Sequence, residues 1–283
     1  MKIAFCNEVY GNWPLEKQFD FTADCGYDGV ELAPFTLDQA WVDGKEKTAD
    51  VRRITPKQRD EIARLAEKAA IKLPGMHWLL AKTEGFFLTS PDADVRKKTT
   101  AYLNELVTLC ADLGGEYLVL GSPAQRYVLP SFTYNDALGY AADTLAGTLD
   151  LLRRNHIVLA LEPLAANENN FLMNAAQALE LIEKMGNPGP ITIHLDCKAM
   201  ARGENRPIPE IIRDTRFVPF EKTFHANDPN LRGPGFGELD FGPIIAALRE
   251  TGFDGWIGVE PFDYSVGIEN LAKKSAEYLR SFE

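Results

Sequence analysis

The stretch Val158-Leu159-Ala160-Leu161-Glu162-Pro163 is the clearest guide to the fold, because its apolar run stops abruptly at a carboxylate followed by a proline. A run this short and this apolar is typical of a strand buried on both faces of a parallel sheet. The arrangement returns at Trp256-Ile257-Gly258-Val259-Glu260-Pro261, and residues 191–196 also end in a carboxylate, Asp196, which no proline follows. Amphipathic segments with the periodicity of a helix separate these runs. The sequence therefore predicts repeated strand–helix units.

Eight such units follow one another, with no composition shift or low-complexity linker between them. Strict alternation predicts parallel strands, and eight units predict a single (β/α)8 TIM barrel over residues 1–283. An open doubly wound sheet is the alternative, but the GxGxxG turn that often follows its first strand is missing. The predicted strands are Ile3–Asn7, Gly29–Ala33, Gly75–Trp78, Tyr117–Gly121, Val158–Glu162, Ile191–Asp196, Thr223–Asn227 and Trp256–Glu260. The predicted helices are Leu15–Cys25, Pro56–Ile71, Val95–Leu113, Tyr134–Asn155, Ala175–Met185, Pro209–Arg213, Phe241–Thr251 and Glu269–Phe282.

The composition limits the classes of function. A formal charge of −11 disfavours nucleic acid as a partner, because phosphate recognition relies on clustered lysines and arginines. No apolar run reaches the ~18 residues of a membrane span, so no membrane association is expected. The chain turns polar at Asn7 and Glu8, unlike the apolar centre of a signal peptide. The 4 cysteines are scattered without a CxxC pair, which predicts reduced thiols and a cytoplasmic protein.

The ends of the last four predicted strands carry a candidate metal site. Glu162, Asp196, His225 and Glu260 stand at the carboxyl ends of strands five to eight, where barrel active sites lie. Three carboxylates and one imidazole suit a hard or borderline divalent ion, and without a cation the carboxylates would repel one another. The alternative is that each carboxylate caps its own strand with a local partner. The expected cofactor is one divalent ion, Mn²⁺ first, with Mg²⁺, Co²⁺ or Zn²⁺ as alternatives.

The segments around these residues resemble a known family. The likeness extends over essentially the whole chain, and it identifies a superfamily but not a substrate. The segments are similar to the sugar phosphate isomerase/epimerase superfamily of xylose isomerase-like barrels, which includes ketose 3-epimerases, hydroxypyruvate isomerases, inosose dehydratases and, more distantly, endonuclease IV. The segments that carry the resemblance are Leu161-Glu162-Pro163-Leu164, His194-Leu195-Asp196, His225-Ala226-Asn227-Asp228, Val259-Glu260-Pro261-Phe262, Gly29-Val30-Glu31-Leu32 and Gly75-Met76-His77.

The resemblance to the ketose 3-epimerases implies roles for the four residues. By position, Glu162, Asp196, His225 and Glu260 match the metal ligands of those enzymes. Glu162 and Glu260 also match their acid/base pair, in which one glutamate acts on each face of the substrate. The resemblance to a DNA-repair endonuclease is weaker, because such enzymes gather three zinc ions with many histidines and this chain has 4 in total.

The same resemblance implies further substrate contacts and one departure. Glu168 matches a glutamate that contacts the substrate in those enzymes. Arg232, a candidate substrate-binding residue, matches an arginine seven residues after the metal-binding histidine, and the glycine-rich residues 233–237 beside it offer either a phosphate cradle or a plain turn. The alternative for Arg232 is a solvated charge. Those enzymes usually carry a histidine where this chain has Ala199, which leaves the substrate open. Relatives are commonly dimers or tetramers, so a homodimer or homotetramer is expected.

Three other residues at strand ends are candidate substrate-binding groups. His77 either donates to a substrate oxygen or satisfies a hydrogen bond in the core. Glu31 either binds a hydroxyl, orients His77 or forms a buried structural ion pair. Lys198, just beyond the sixth strand, is a candidate substrate-binding cation, with a Schiff-base lysine as the alternative. We also expect His194, which faces inward two residues before Asp196, to support the site or fill the core.

The expected function follows from this set of residues. A metal-dependent isomerase or epimerase removes a proton next to the carbonyl of a small sugar or keto-sugar, with or without a phosphate, through an enediolate. The same site also supports loss of water from an inosose-like keto-polyol, which makes a dehydratase the first alternative. A non-catalytic sugar-binding barrel is the second.

Overall fold

A closed ring of parallel strands forms the centre of the computed structural model, which describes residues 1–214, 216 and 222–283. Each strand is short and buried, as expected for a sheet covered on both faces. The sixth strand is interrupted at His194, so its two hydrogen-bonded segments are both called β6 here. The strands are β1 Lys2–Cys6, β2 Gly29–Glu31, β3 Gly75–Met76, β4 Tyr117–Leu120, β5 Val158–Leu161, β6 Ile191–Ile193 with Leu195–Asp196, β7 Thr223–His225 and β8 Trp256–Val259.

Parallel pairing runs around the whole ring. Strand β1 pairs with β2 on one side and β8 on the other, and β7 joins β8 to the second segment of β6. The first segment of β6 continues through β5 and β4 to β3. Between β2 and β3 the ring is completed by the isolated bridges Gly29↔Lys72 and Leu32↔Met76. The closed ring confirms the predicted (β/α)8 barrel and excludes the open sheet.

Helices cover the outside of the ring, and their bounds mostly follow the predicted periodicity. Helix α3 begins as the sequence predicts, with Thr55 and Gln58 forming a reciprocal capping box and Pro56 in the first turn. Among the described residues, no helix is both long enough and apolar enough to cross a bilayer. The α-helices are α1 Leu15–Asp24, α2 Gln39–Val42, α3 Pro56–Lys68, α4 Ala93–Asp112, α5 Tyr134–Ala146, α6 Leu149–Asn155, α7 Ala175–Lys184, α8 Cys197–Gly203, α9 Ile208–Ile212, α10 Phe241–Glu250 and α11 Ile268–Arg280. Short 3₁₀ helices lie at Asn7–Tyr10, Pro34–Leu37, Val51–Arg53 and Pro123–Gln125.

The predicted helix Tyr134–Asn155 is divided into α5 and α6. Gly147 interrupts it, and the Thr148 hydroxyl donates to the Leu145 carbonyl at 2.7 Å. Glycine has a low helix propensity, and a local side-chain bond of this kind competes with continuation of the helix. The prediction of one long helix was therefore wrong at this point.

The segment after β6 also differs from the prediction, and the difference matters for the site. Helix α8 begins directly at the end of the strand, because the Asp196 side chain accepts a hydrogen bond from the Ala199 amide at 2.6 Å and caps it. The sequence predicted only a later helix at Pro209–Arg213, which corresponds to α9. Helix α8 therefore brings residues 197–203 to the carboxyl end of the barrel.

Candidate active site

Four side chains converge at the carboxyl ends of β5 to β8. Glu162 follows β5, Asp196 and His225 end β6 and β7, and Glu260 follows β8. Each offers one ligand atom, and these atoms all lie within 4.8 Å of one another. All four residues are buried. The arrangement brings together the four residues that the sequence placed at these strand ends, in a group that could hold a metal ion.

The imidazole of His225 is held between carboxylates. Its Nδ1 lies 3.1 Å from Glu260 Oε2, and its Nε2 lies 3.0 Å from Glu31 Oε1. Burial lowers the pKa of His225, but Glu31 and Glu260 outweigh it and raise that pKa well above its usual range. Because Glu31 fixes Nε2, Nδ1 is left facing the other ligands. An outer carboxylate commonly orients a metal-binding histidine in this way.

A second residue fixes the orientation of Asp196. Its Oδ1 accepts the helix-capping bond from Ala199, and its Oδ2 accepts a hydrogen bond from Asn227 Nδ2 at 2.7 Å. The Asn227 side chain also donates to the Glu260 carbonyl at 3.2 Å and accepts from the Lys198 amide at 3.0 Å. Asn227 therefore ties the ends of β6, β7 and β8 together.

Glu162 stands against the backbone of β4. A methyl group at Gly121 would lie only 1.5 Å from Glu162 Oε2, so the carboxylate occupies space that only glycine leaves free. Burial, followed by the charges of Glu260 and Asp196, raises the pKa of Glu162 to about 8. The buried Arg126 donates to the Glu162 carbonyl at 2.5 Å and to the Leu120 carbonyl at 3.1 Å. It supports the backbone at this point.

Glu31 and His77 lie beneath these four residues. Glu31 accepts a hydrogen bond from the Tyr117 hydroxyl at 2.6 Å, and its Oε1 lies 3.3 Å from His77 Nδ1. His77 Nε2 lies 2.8 Å from Glu8 Oε2 and 3.8 Å from Glu260 Oε1. Glu31 and His77 are outside the lining of the cavity described below. Their contacts therefore favour the readings in which Glu31 forms a buried ion pair and His77 satisfies a core hydrogen bond.

His194 lies inside the barrel with its ring against His225, at a centroid distance of 4.2 Å. Neither ring nitrogen has a hydrogen-bond partner within the described part of the chain. Burial, followed by the charges of His225 and His77, holds its pKa well below the usual range. It lines a small cavity together with Ala199 and Met200.

A cavity of about 370 Å³ opens above the four-residue cluster. Its volume is within the ~300–1,000 Å³ that is usual for small-molecule sites. One side of the cavity is polar, where Lys198 Nζ lies 3.1 Å from Glu168 Oε1 and 4.1 Å from the centre of the Phe262 ring. The lining residues are Trp78, Gly121, Pro123, Glu162, Leu164, Glu168, Lys198, Arg202, Leu231, Glu260 and Phe262.

Lys198 stays charged despite its burial. Burial lowers the pKa of this lysine, but the carboxylates of Asp196, Glu260 and Glu162 raise it above its usual value. A Schiff-base lysine requires the neutral amine, which a lowered pKa supplies. The surroundings of Lys198 therefore favour the substrate-binding reading.

The structure places Arg232 away from the cavity. Its Nε donates to Asp263 at 2.8 Å, and a terminal nitrogen donates to Ser265 at 3.1 Å. It is Leu231 that lines the cavity. In the neighbouring glycine-rich run, a methyl group at Gly235 would lie 2.9 Å from Tyr278, so packing against α11 explains this glycine. Local hydrogen bonding therefore accounts for Arg232, and local packing accounts for Gly235.

Two features of the site were not predicted from the sequence. Arg202 lines the cavity, and Tyr117 donates to Glu31 from the interior. The signal for Arg202 is present, because Asp196 has the side chain of a helix cap and Arg202 is four residues after Lys198. No local signal distinguishes Tyr117 from an ordinary apolar strand residue.

The donor set fits a divalent cation. Three carboxylates and one imidazole are hard or borderline ligands, and their oriented, buried arrangement leaves uncompensated negative charge at one point. The raised pKa of Glu162 reflects its burial first and this charge second, and a cation would relieve the charge. The four cysteines are free, and three of them are buried.

Comparison with known proteins gives matches along nearly the whole chain. A family model described as "Xylose isomerase-like TIM barrel" matches residues 19–282. An L-ribulose 3-epimerase of Mesorhizobium japonicum is 28% identical over 262 residues, covering 93% of this chain and 80% of that protein. A probable ketose 3-epimerase of Synechocystis is 24% identical, covering 84% of this chain and 75% of that protein. A D-psicose 3-epimerase crystal structure determined in the presence of D-fructose has the same fold, with a TM-score of 0.81, 20% identity and coverage of 99% and 98%.

Proposed function

The chain belongs to the xylose isomerase-like TIM barrel family, and from that premise we propose that it is a divalent-metal-dependent sugar isomerase or epimerase. The observation that carries the proposal is the convergence of Glu162, Asp196, His225 and Glu260 within 4.8 Å at one end of the barrel. The similarity to ketose 3-epimerases supports it. The substrate is a small sugar or keto-sugar, and the reaction removes a proton next to its carbonyl group.

The four residues of the cluster hold one divalent ion, Mn²⁺ first. When bound, such an ion stabilises negative charge that develops on a substrate oxygen. Glu31 keeps the imidazole of His225 oriented, and Asn227 does the same for Asp196. The chain thus supplies both the ligands and the groups that fix their direction.

Glu162 and Glu260 transfer the proton. Both carboxylates line the cavity, so both can reach a bound substrate. One removes the proton next to the carbonyl, which leaves an enediolate, and the other returns a proton. Return to the opposite face of the same carbon inverts it, and return to the adjacent carbon interconverts an aldose and a ketose.

The proposal includes the wider setting of the protein. The chain acts as a single domain over residues 1–283, and the scattered free cysteines support a cytoplasmic location. Neither nucleic acid nor a membrane is a partner. A homodimer or homotetramer stays a prediction. Loss of a β-hydroxyl from the same enediolate would make the protein a dehydratase, which product analysis distinguishes because water is lost and a double bond forms.

The test combines metal binding with proton exchange. Wild-type protein stripped of metal is titrated with Mn²⁺ by calorimetry and then incubated with ketoses in D₂O. We expect one Mn²⁺ ion per chain and deuterium next to the carbonyl, detected by NMR. Asp196→Ala should lose both. Glu162→Gln should lose the exchange.

A surface carboxylate provides the control. Glu250 is exposed and pairs with Arg213 on the outside of the barrel, so Glu250→Gln should bind Mn²⁺ and exchange deuterium as the wild type does. Absence of Mn²⁺ binding by the wild type would refute the metal site. Metal binding without exchange on any ketose would leave the sugar-binding barrel as the better account.

A further inference from the structure

The polar side of the cavity is built by one turn of helix α8. Lys198 and Arg202 are four residues apart, so they lie on the same face of this helix, and both line the cavity. Glu168, from the loop after β5, faces them. Its Oε1 lies 3.1 Å from Lys198 Nζ and 4.0 Å from a terminal nitrogen of Arg202. Two cations therefore share a single carboxylate.

Glu168 alone leaves one positive charge of these three side chains uncompensated, and Lys198 is also attracted by the carboxylates of the four-residue cluster. Lys198 is within hydrogen-bond distance of Glu168, whereas Arg202 is beyond it. In the described part of the chain, the hydrogen bond of Arg202 goes to the carbonyl of Pro229 at 2.6 Å, from its other terminal nitrogen. That bond fixes the guanidinium group without neutralising it. The side chain is 34% exposed, so a ligand can reach it.

The charge at the four-residue cluster has the other sign. Glu162 and Glu260 line the cavity at that end, and with Asp196 they bring three carboxylates, one more negative charge than a single divalent ion neutralises. Helix α8 starts at Asp196, so Arg202 lies one helical turn farther from the cluster than Lys198 does. A substrate with one anionic group would be repelled from that end and attracted to Arg202. The cavity lining also includes the apolar residues Pro123, Leu164 and Leu231, which strengthen both effects by excluding water.

We propose that the substrate is a keto-sugar carrying a phosphate or a carboxylate at the end remote from its carbonyl, and that Arg202 together with Lys198 binds this anionic group. The inference rests on the proposed function, because it takes the four-residue cluster to receive the carbonyl end. Arginine binds phosphate and carboxylate alike with paired hydrogen bonds. The structure therefore indicates the charge and the position of the group and is compatible with either anion.

The experiment compares matched ligands that differ in this group alone. D-fructose, D-fructose 6-phosphate and the corresponding keto-acid, D-fructuronate, are titrated by calorimetry into the Mn²⁺-loaded protein, and deuterium uptake from D₂O is recorded for each. We expect an anionic ligand to bind at least about tenfold more tightly than D-fructose, because a charged hydrogen bond contributes about this much to affinity. The tighter of the two anionic ligands identifies the group as phosphate or carboxylate.

Substitution of Arg202 isolates its contribution. Arg202→Gln should weaken binding of the preferred anionic ligand about 10- to 100-fold and change the affinity for D-fructose by less than about twofold. An unchanged Mn²⁺ titration shows that the variant is folded. Arg153 lies at the opposite end of the barrel, before β5, where it bonds to Asp150 and the Pro188 carbonyl. Arg153→Gln should therefore affect neither ligand.

The outcomes separate this inference from the proposed function. Equal affinities for charged and neutral ligands, or an anionic preference that Arg202→Gln leaves intact, overturn the inference even where deuterium exchange proceeds. Selective binding that Arg202→Gln removes supports the inference even where no ligand exchanges deuterium, and in that case the proposed reaction fails alone.

Discussion

The close approach of Glu162 to Gly121 predicts that a single methyl group disrupts metal binding. In Gly121→Ala the new Cβ would lie 1.5 Å from Glu162 Oε2, whereas ordinary contacts begin at 3.4 Å. The carboxylate must therefore move by about 1.9 Å, the difference between these two distances. Metal–ligand distances tolerate only about 0.2 Å of variation, so Glu162 can no longer serve as a ligand in its present place.

We expect Gly121→Ala to weaken Mn²⁺ binding about 100-fold, which corresponds to ~2.7 kcal/mol. Isothermal titration of metal-free protein measures this change, and circular dichroism checks that the barrel has folded. Gly139→Ala is the matched control, because a Cβ there would meet only Lys184 at 3.9 Å on the surface of α5. The control should bind Mn²⁺ normally. Wild-type affinity in Gly121→Ala would show that Glu162 is not a ligand.

Three further predictions concern the ligand support, pH and the fold. Glu31→Gln removes the anionic partner of His225 Nε2 and should lower Mn²⁺ affinity about 10- to 100-fold by titration, and an unchanged affinity would contradict the orienting role. Because Glu162, with its pKa raised to about 8, holds a proton below that pH in the metal-free site, the cation must displace this proton. His225, whose pKa is also raised, must lose a proton as well when it binds the ion. Mn²⁺ affinity should therefore fall at least about tenfold per pH unit as pH decreases below about 8, and titrations from pH 6 to 9 with a flat profile would refute this. Thr55→Ala breaks the capping box of α3 and should destabilise the protein by about 1 kcal/mol in urea denaturation, with Mn²⁺ affinity unchanged; a loss of affinity would show coupling to the site.

The sequence was sufficient to predict the barrel and the convergence of the four residues, and the physical reason is the same in both cases. An apolar strand that ends in an ionisable residue is costly unless that residue finds a partner. Glu162, Asp196, His225 and Glu260 each end such a strand, so parallel strand order alone brings them together. Chain order and strand direction are both evident from short-range patterns in the sequence.

Features that depend on packing between distant segments were not predictable in this way. Arg232 was a candidate because its position matches an arginine of the enzymes that the chain resembles, but it pairs with Asp263 and is outside the cavity lining. Arg202 was missed because the start of α8 depends on a cap supplied by Asp196, a residue already assigned to a strand. The need for glycine at 121 follows from the position of Glu162 and has no signal in the residues near it.

The cap at the start of α8 has a consequence for how this protein can change by mutation. Asp196 holds the helix through the backbone amide of residue 199, a group that every amino acid except proline provides. The backbone amide of Ala199 therefore makes the same hydrogen bond that any residue other than proline would make at this position. The side chains of α8 can be exchanged, and the preference for a ligand altered, while the carboxylate that starts the helix stays where it is. Under the proposed function, substrate preference and ion binding are therefore separately adjustable in this barrel, although Asp196 connects them.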